Sequence, residues 1–159
     1  MARRPAVSHN RVAPTRPRNG TRRPAADSLV FAFLSAADAV EARLEAALSQ
    51  TGLSLAKLAV LHILADAKDA LPLSDLAERQ HCVRSNITQL VDRLEKDGLV
   101  RRRADLTDRR SVLAELTPAG RQVHARGVRA LADAQRAVVS ALKAGEATSL
   151  QNALSALSS

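Results

Sequence analysis

The polar side chains between residues 84 and 93 are of the types that read the edges of DNA bases. They are Arg84, Ser85, Asn86, Thr88, Gln89 and Arg93. Asparagine and glutamine amides can form two hydrogen bonds with adenine, and a threonine methyl group can contact that of thymine. Hydroxyl groups and free backbone N–H groups at a helix start suit phosphate oxygens. The simpler interpretation is an ordinary amphipathic helix with a solvated polar face.

A helix-turn-helix pattern would position these side chains. The sequence predicts a helix from about Arg84 to Lys96, ended by Gly98. Its apolar residues recur at three- and four-residue spacing and form one stripe: Ile87, Leu90, Val91 and Leu94. A shorter helix is predicted over 74–80, and residues 81–83 form a tight turn between the two. In this pattern the second helix enters the major groove.

A basic hairpin is predicted directly after that helix. Residues 99–103 and 111–116 read as two strands joined by a polar loop. Three arginines lie on the first strand, and Arg109 and Arg110 lie at the tip. A narrow minor groove attracts arginine because its potential is more negative, and Asp108 could hold the Arg110 guanidinium in one orientation. The alternative is a solvated, salt-bridged turn.

The flanking segments are helical in pattern. Apolar spacing predicts a helix over 27–52, one from 54 to the break at Pro72, a long one from 118 to about 143, and a last one after Gly145. The chain has 46% hydrophobic but only 1% aromatic residues, so its core must consist of leucine, alanine and valine, which favours helices. The expected fold is mainly α with a small β-hairpin wing, a winged helix-turn-helix.

Charge is concentrated at the N-terminus. Residues 1–26 contain seven arginines and no acidic residue, whereas the other 133 residues are nearly neutral. Such a proline- and arginine-rich segment cannot bury enough apolar surface to fold, so we expect it to be disordered. It could be a DNA-tethering arm, a solvated tail, a transit peptide or the product of a misassigned start codon.

Other functional classes find little support in the sequence. No run of about 18 apolar residues or secretory signal is present, which indicates a cytoplasmic protein without membrane contact. The single cysteine, Cys82, cannot form an internal disulfide. The histidines and Cys82 lack metal-ligand spacing, and no nucleophile, acid-pair or phosphate-loop motif is found. We therefore expect neither enzymatic activity nor a cofactor.

Four motifs follow one another between residues 76 and 120. They are LAER (76–79), SNITQLVDRLEKDGLVRR (85–102), DLTDRR (105–110) and LTPAG (116–120). Together they resemble the central signature of the MarR (multiple antibiotic resistance regulator) family of bacterial regulators, and the helix order extends the likeness from 27 to 157. Two positions depart from the family pattern: Leu106 stands where proline is common, and Gln89 where arginine is frequent.

The resemblance implies a homodimer in which the helices over 27–52 and 118–157 interlock and residues 53–117 form the DNA-binding lobe. It identifies Arg110 as the minor-groove arginine and Asp108 as the acid that orients it. It further implies a pseudo-palindromic DNA operator with half-sites about 34–36 Å apart. A small, often aromatic effector would bind between the dimer helices and the lobe.

Four residues are candidates for sensing a signal. His62, with Phe31 and Phe33 as apolar walls, would line the effector pocket, although a surface histidine or one satisfied by its neighbours is the simpler interpretation. Cys82 precedes the DNA-reading helix, where a free cysteine commonly acts as a small hydrophobe. Its alternative role is a thiol sensor activated by the helix N-terminus.

The leading hypothesis is a sequence-specific transcriptional regulator, a repressor released by a ligand or by stress. The first alternative is an architectural, nucleoid-type DNA-binding protein with weak sequence preference. The second is a winged-helix interaction module that does not bind DNA.

Overall fold

The structure, a computed structural model, describes residues 26–67, 69–105, 108, 111–143 and 145–157. The helices and strands of these residues are α1 (Ala26–Ser49), α2 (Leu55–Ala67), β1 (Leu71–Pro72), α3 (Leu73–Arg79), α4 (Arg84–Lys96), β2 (Val100–Ala104), β3 (Val112–Leu116), α5 (Pro118–Ser140) and α6 (Glu146–Leu157). The prediction of a mainly α fold with a small β wing is confirmed. The predicted tail lies outside the described residues, apart from Ala26 at the start of α1.

The wing sheet is larger than the predicted two-stranded hairpin. β2 pairs antiparallel with β3 from Val100 opposite Leu116 to Ala104 opposite Val112. β1 pairs with the other edge of β3, so the strand order in the described residues is β1–β3–β2. The sequence predicts only a break at Pro72, and that prediction misses the strand. A strand of two residues has no readable period, and proline is tolerated there because β1 is an edge strand.

Local capping groups define where the helices begin. Ser54 Oγ accepts a hydrogen bond from Lys57 N at 3.2 Å, and Glu45 Oε1 accepts one from Leu55 N at 3.1 Å, so two side chains satisfy free N–H groups at the start of α2. Thr117 caps α5 by accepting a hydrogen bond from Gly120 N at 2.9 Å. Serine and threonine are among the residues preferred at helix N-caps, so the local sequence accounts for both starts.

The hydrophobic core lies where α2, α3 and α4 pack against the sheet. Its largest fully buried side chains are Leu48, Leu61, Leu76, Ile87, Leu94, Val60, Val91 and Val100. Gly127 brings α5 against this core, because a Cβ there would lie 2.8 Å from Leu53 Cδ1 and 2.9 Å from Leu58 Cδ1. This packing fixes α4 and the wing strands as parts of one lobe.

Candidate nucleic-acid interface

Helix α4 presents a polar face opposite its buried stripe. Ile87, Val91 and Leu94 are fully buried and anchor the helix. The six polar residues predicted to face DNA are all exposed: Arg84, Ser85, Asn86, Thr88, Gln89 and Arg93. The Thr88 hydroxyl donates a hydrogen bond to Arg84 O at 3.0 Å, within the helix. The helix therefore offers amides, a hydroxyl and two guanidinium groups on one accessible surface.

One end of this surface meets the wing in a polar cavity of about 350 Å³. Arg84 and Thr88 of α4 line it together with Asp108 and Ser111 of the wing loop. Ser111 N donates to Asp108 O at 2.9 Å, which closes the loop locally. The structure thus brings three predicted site residues, Arg84, Thr88 and Asp108, to one cavity. Arg109 and Arg110 lie outside the described residues.

A second cavity, of about 330 Å³, lies beside α4 near the turn that precedes it. Asn86, Gln89 and Arg93 line it together with Cys82 and Gln80. Cys82 is half-buried and packs against the hydrophobic core, as its interpretation as a small hydrophobe requires. His81 allows the chain to reverse here, because its backbone adopts a left-handed conformation with φ of 51°.

Arg102 connects the wing to α4, a role that the sequence does not predict. Its guanidinium pairs with Asp92 and lies 3.6 Å from Glu95 Oε2. It also donates a hydrogen bond to Thr88 O at 3.1 Å. Asp92 of α4 is thereby engaged within the protein. Strand alternation could have indicated this, because Arg102 shares a strand face with the buried Val100.

A mainly apolar groove of about 340 Å³ separates α2 from α5. It is lined by Leu55, Leu58, Ala59, His62, Val128, Leu131, Ala132 and Gln135. His62 therefore lies at a groove, as the predicted effector pocket requires. Phe31 and Phe33 are not among these lining residues. They lie on α1, where every side chain from 28 to 39 is exposed, so the structure does not bring them together with His62 in this groove.

His62 pairs with His124 of α5 beside the groove. His62 Nδ1 and His124 Nε2 are 3.2 Å apart, and His62 Nε2 lies 3.7 Å from Asp66 Oδ2. Burial lowers the pKa of His124 below its ordinary value, the neighbouring His62 lowers this pKa further, and Asp66 partly raises it. The pairing was not predicted, although His124 lies one helical turn from the buried Gly120 and Gly127 and so belongs to the inward face of α5.

Apolar side chains stay exposed along the three outer helices. They include Leu29, Val30, Phe31, Phe33 and Leu34 of α1, Val128 and Val139 of α5, and Leu150, Leu154 and Leu157 of α6. A groove between α5 and α6 is lined by Val139, Leu142 and Leu150, among others. Contiguous apolar surface of this kind typically marks a protein interface.

The described part of the chain contains no group of three or more histidine, cysteine, aspartate or glutamate residues suited to a metal ion. Within the same residues, none of the helices has the length and apolar character needed to cross a membrane.

Comparisons with known proteins agree with this geometry. The sequence model of the MarR family matches residues 53–112, which comprise α2 to the start of β3. The HTH-type transcriptional repressor YetL of Bacillus subtilis is 42% identical over 71 residues, a match that covers 44% of this chain and 42% of the repressor's own length. The homoprotocatechuate degradative operon repressor of Escherichia coli is 29% identical over 112 residues, covering 70% of this chain and 75% of that repressor.

Among solved structures, Sco3205 of Streptomyces coelicolor, a MarR family transcriptional regulator in complex with DNA, is 27% identical. It superposes with a TM-score of 0.68 over 88% of this chain and 91% of that chain. The fold likeness therefore extends well beyond the central motifs and includes the outer helices.

Proposed function

We propose that this chain, whose residues 53–112 match the sequence model of the MarR family, is a dimeric, sequence-specific transcriptional regulator, a repressor that a small ligand or a stress signal releases from DNA. The observation that carries the proposal is the pairing of an anchored helix with a wing. α4 buries Ile87, Val91 and Leu94 and exposes its polar face next to the wing loop. A helix of this width fits the major groove, and the wing reaches the backbone or the minor groove beside it.

We assign the DNA contacts to residues on both elements. Asn86 and Gln89 would read base edges, whereas Ser85, Arg84 and Arg93 would contact phosphates. Thr88 would present its methyl group, since its hydroxyl already donates to Arg84 O. Arg109 and Arg110 would enter the minor groove, with Asp108 orienting Arg110; for these two arginines the support is the resemblance of the wing motif.

The exposed apolar helices support a homodimer. We propose that the helices over 27–52 and 118–157 form the dimer region, with residues 53–117 as the DNA-binding lobe and the basic residues 1–26 as a phosphate-tracking arm. Phe31, 71% exposed, and Leu157, 75% exposed, would be covered by the partner protomer. Two α4 helices would then address half-sites of a pseudo-palindromic operator about 34–36 Å apart. Such a regulator acts in the cytoplasm, and we propose no enzymatic activity for it.

The groove between α2 and α5 is the proposed effector site. Its lining is largely apolar, and its histidine provides a polar contact, which suits a small aromatic molecule with one polar group. A ligand that fits the groove better in one arrangement of α2 and α5 than in another would shift the spacing of the α4 helices. Cys82 would serve as a packing residue, because it lies against the core.

Selection of bound fragments from a pool of random duplexes, with the full-length protein, tests the proposed function. We expect a dyad-symmetric consensus, bound about 10³-fold or more tightly than random DNA at physiological salt. Nearly equal affinities for all duplexes would indicate an architectural protein instead. The absence of any duplex binding would indicate an interaction module and overturn the proposal.

A further inference from the structure

Arg102 contacts α4 through both its side chain and its backbone. Its guanidinium reaches groups on three successive turns of the helix, at Thr88, Asp92 and Glu95. Its backbone N–H donates to Glu95 Oε1 at 2.9 Å, which adds a main-chain link. The side chain is 25% exposed, compared with 72% for Arg101, its neighbour on β2. Arg102 therefore faces the helix, whereas Arg101 is largely exposed and pairs with Glu115 of β3.

The charges around Arg102 stabilise its contact with α4. Asp92 and Glu95 lie three residues apart on α4, where like charges repel each other. A guanidinium between them compensates both carboxylates, and hydrogen bonds between charged groups are stronger than neutral ones. Arg102 Nε is buried without a hydrogen-bond partner in the described residues. The acceptors on α4 therefore set the orientation of the guanidinium. In this orientation the Nε–H donor stays without an acceptor in the described part of the chain.

We propose that Arg102 is a positioning residue that fixes the wing at one distance and angle from α4, and so sets which DNA sequences the two elements can engage together. The inference rests on the proposed function. β2 carries Arg102 at its centre and leads into the wing loop, while Thr88, Asp92 and Glu95 span most of α4. A change at this contact would displace the wing relative to the helix without touching DNA.

Three variants of the full-length protein separate positioning from simple charge. Arg102→Gln removes the contact. Arg101→Gln removes the same charge at the neighbouring, exposed position and is the matched control. Asp92→Asn keeps the shape of the acid but removes its charge. Binding is measured with the selected duplex and with a scrambled duplex of equal length, as a function of salt concentration.

We expect Arg102→Gln to weaken binding to the selected duplex by at least about tenfold, and more than Arg101→Gln does. The slope of log affinity against log salt should not change, since no phosphate contact is lost. Asp92→Asn should also weaken specific binding, although loss of a negative charge near DNA would by itself strengthen it. A gain in affinity for Asp92→Asn, or a slope reduced by about one for Arg102→Gln, would overturn the inference.

Amide hydrogen exchange without DNA tests the contact independently of the proposed function. Arg102→Gln and Asp92→Asn should accelerate exchange in β2 more than Arg101→Gln does, since the latter removes only an exposed ion pair with Glu115. Unchanged exchange in β2 overturns the inference even if the protein binds DNA. Accelerated exchange in a protein that binds no duplex would instead reject the proposed function and with it the assigned role. If Arg102→Gln fails to fold, the nearly isosteric variant Asp92→Asn still tests the positioning role of Arg102.

Discussion

The imidazole rings of His62 and His124 stack with their centroids 5.4 Å apart and link α2 to α5. Their facing nitrogens are 3.2 Å apart, so one ring must donate a hydrogen and the other must accept it. This arrangement requires at least one neutral ring. Protonation of both rings would break this hydrogen bond. The contact between α2 and α5 is therefore sensitive to pH.

Stability should therefore fall in mildly acidic solution. The pKa of His124 is lowered from 6.5 in the folded protein, so the unfolded chain binds more protons below that value. The contribution of His124 is complete above 6.5 and is lost as the pH falls through its folded pKa. Urea denaturation between about pH 5 and pH 8 should show this decline in the free energy of unfolding.

The variant His124→Gln should make the stability less dependent on pH across that range. His81→Asn is the matched control, because His81 is exposed and asparagine tolerates its positive φ. An identical pH dependence in His124→Gln and in the unmodified protein would contradict the assignment.

Gly120 should tolerate no side chain. A Cβ at this position would lie 2.0 Å from Leu99 O, which is a backbone atom and cannot move aside cheaply. We expect Gly120→Ala to lower the free energy of unfolding by about 3 kcal/mol or more. The comparison variant is Gly127→Ala, where the obstructing atoms are leucine methyl groups. Its loss should be smaller, since side chains can shift and alanine favours a helix by about 1 kcal/mol. Equal losses in chemical denaturation would refute this reasoning.

Substitution of the amides of α4 should relax sequence preference. Asn86→Ala and Gln89→Ala should each cost about 1–3 kcal/mol in binding to the selected duplex, with the loss confined to particular base pairs. Competition with single-base variants of that duplex measures the effect. Gln122→Ala, at an exposed amide on α5, is the control and should bind as the unmodified protein does. A uniform loss across all duplexes would argue against base reading by these residues.

A charge in the apolar stripe of α6 should break the dimer. Leu150 is 45% exposed and lines the groove between α5 and α6. Leu150→Asp would leave a carboxylate buried in the dimer without a partner, so sedimentation equilibrium should show monomers. Thr148→Asp adds the same charge to the same helix off the leucine stripe and should remain dimeric. Dimers of unchanged affinity in Leu150→Asp would exclude this stripe from the interface.

Local signals in the sequence were sufficient for the elements that carry the proposed site. The helix predicted from about Arg84 to Lys96 has those same ends, because its apolar spacing and the glycine after it act within a few residues. Ser54 and Thr117 likewise cap the helices that follow them through contacts within a few residues. The polar face of α4 follows directly, since burial of Ile87, Val91 and Leu94 leaves the intervening positions exposed.

Contacts between residues distant in the sequence could be identified only from the tertiary structure. The pairing of β1 with β3 joins residues more than 40 positions apart and leaves no periodic trace in a strand of two residues. In the same way, Arg102 is one of three consecutive arginines in the sequence. Only the fold shows that Asp92 and Glu95 of α4 lie against it. The sequence by itself determined which segments form helices and which of their faces are polar. Only the packing of those segments decided which charges are already paired within the protein and which remain available to a partner.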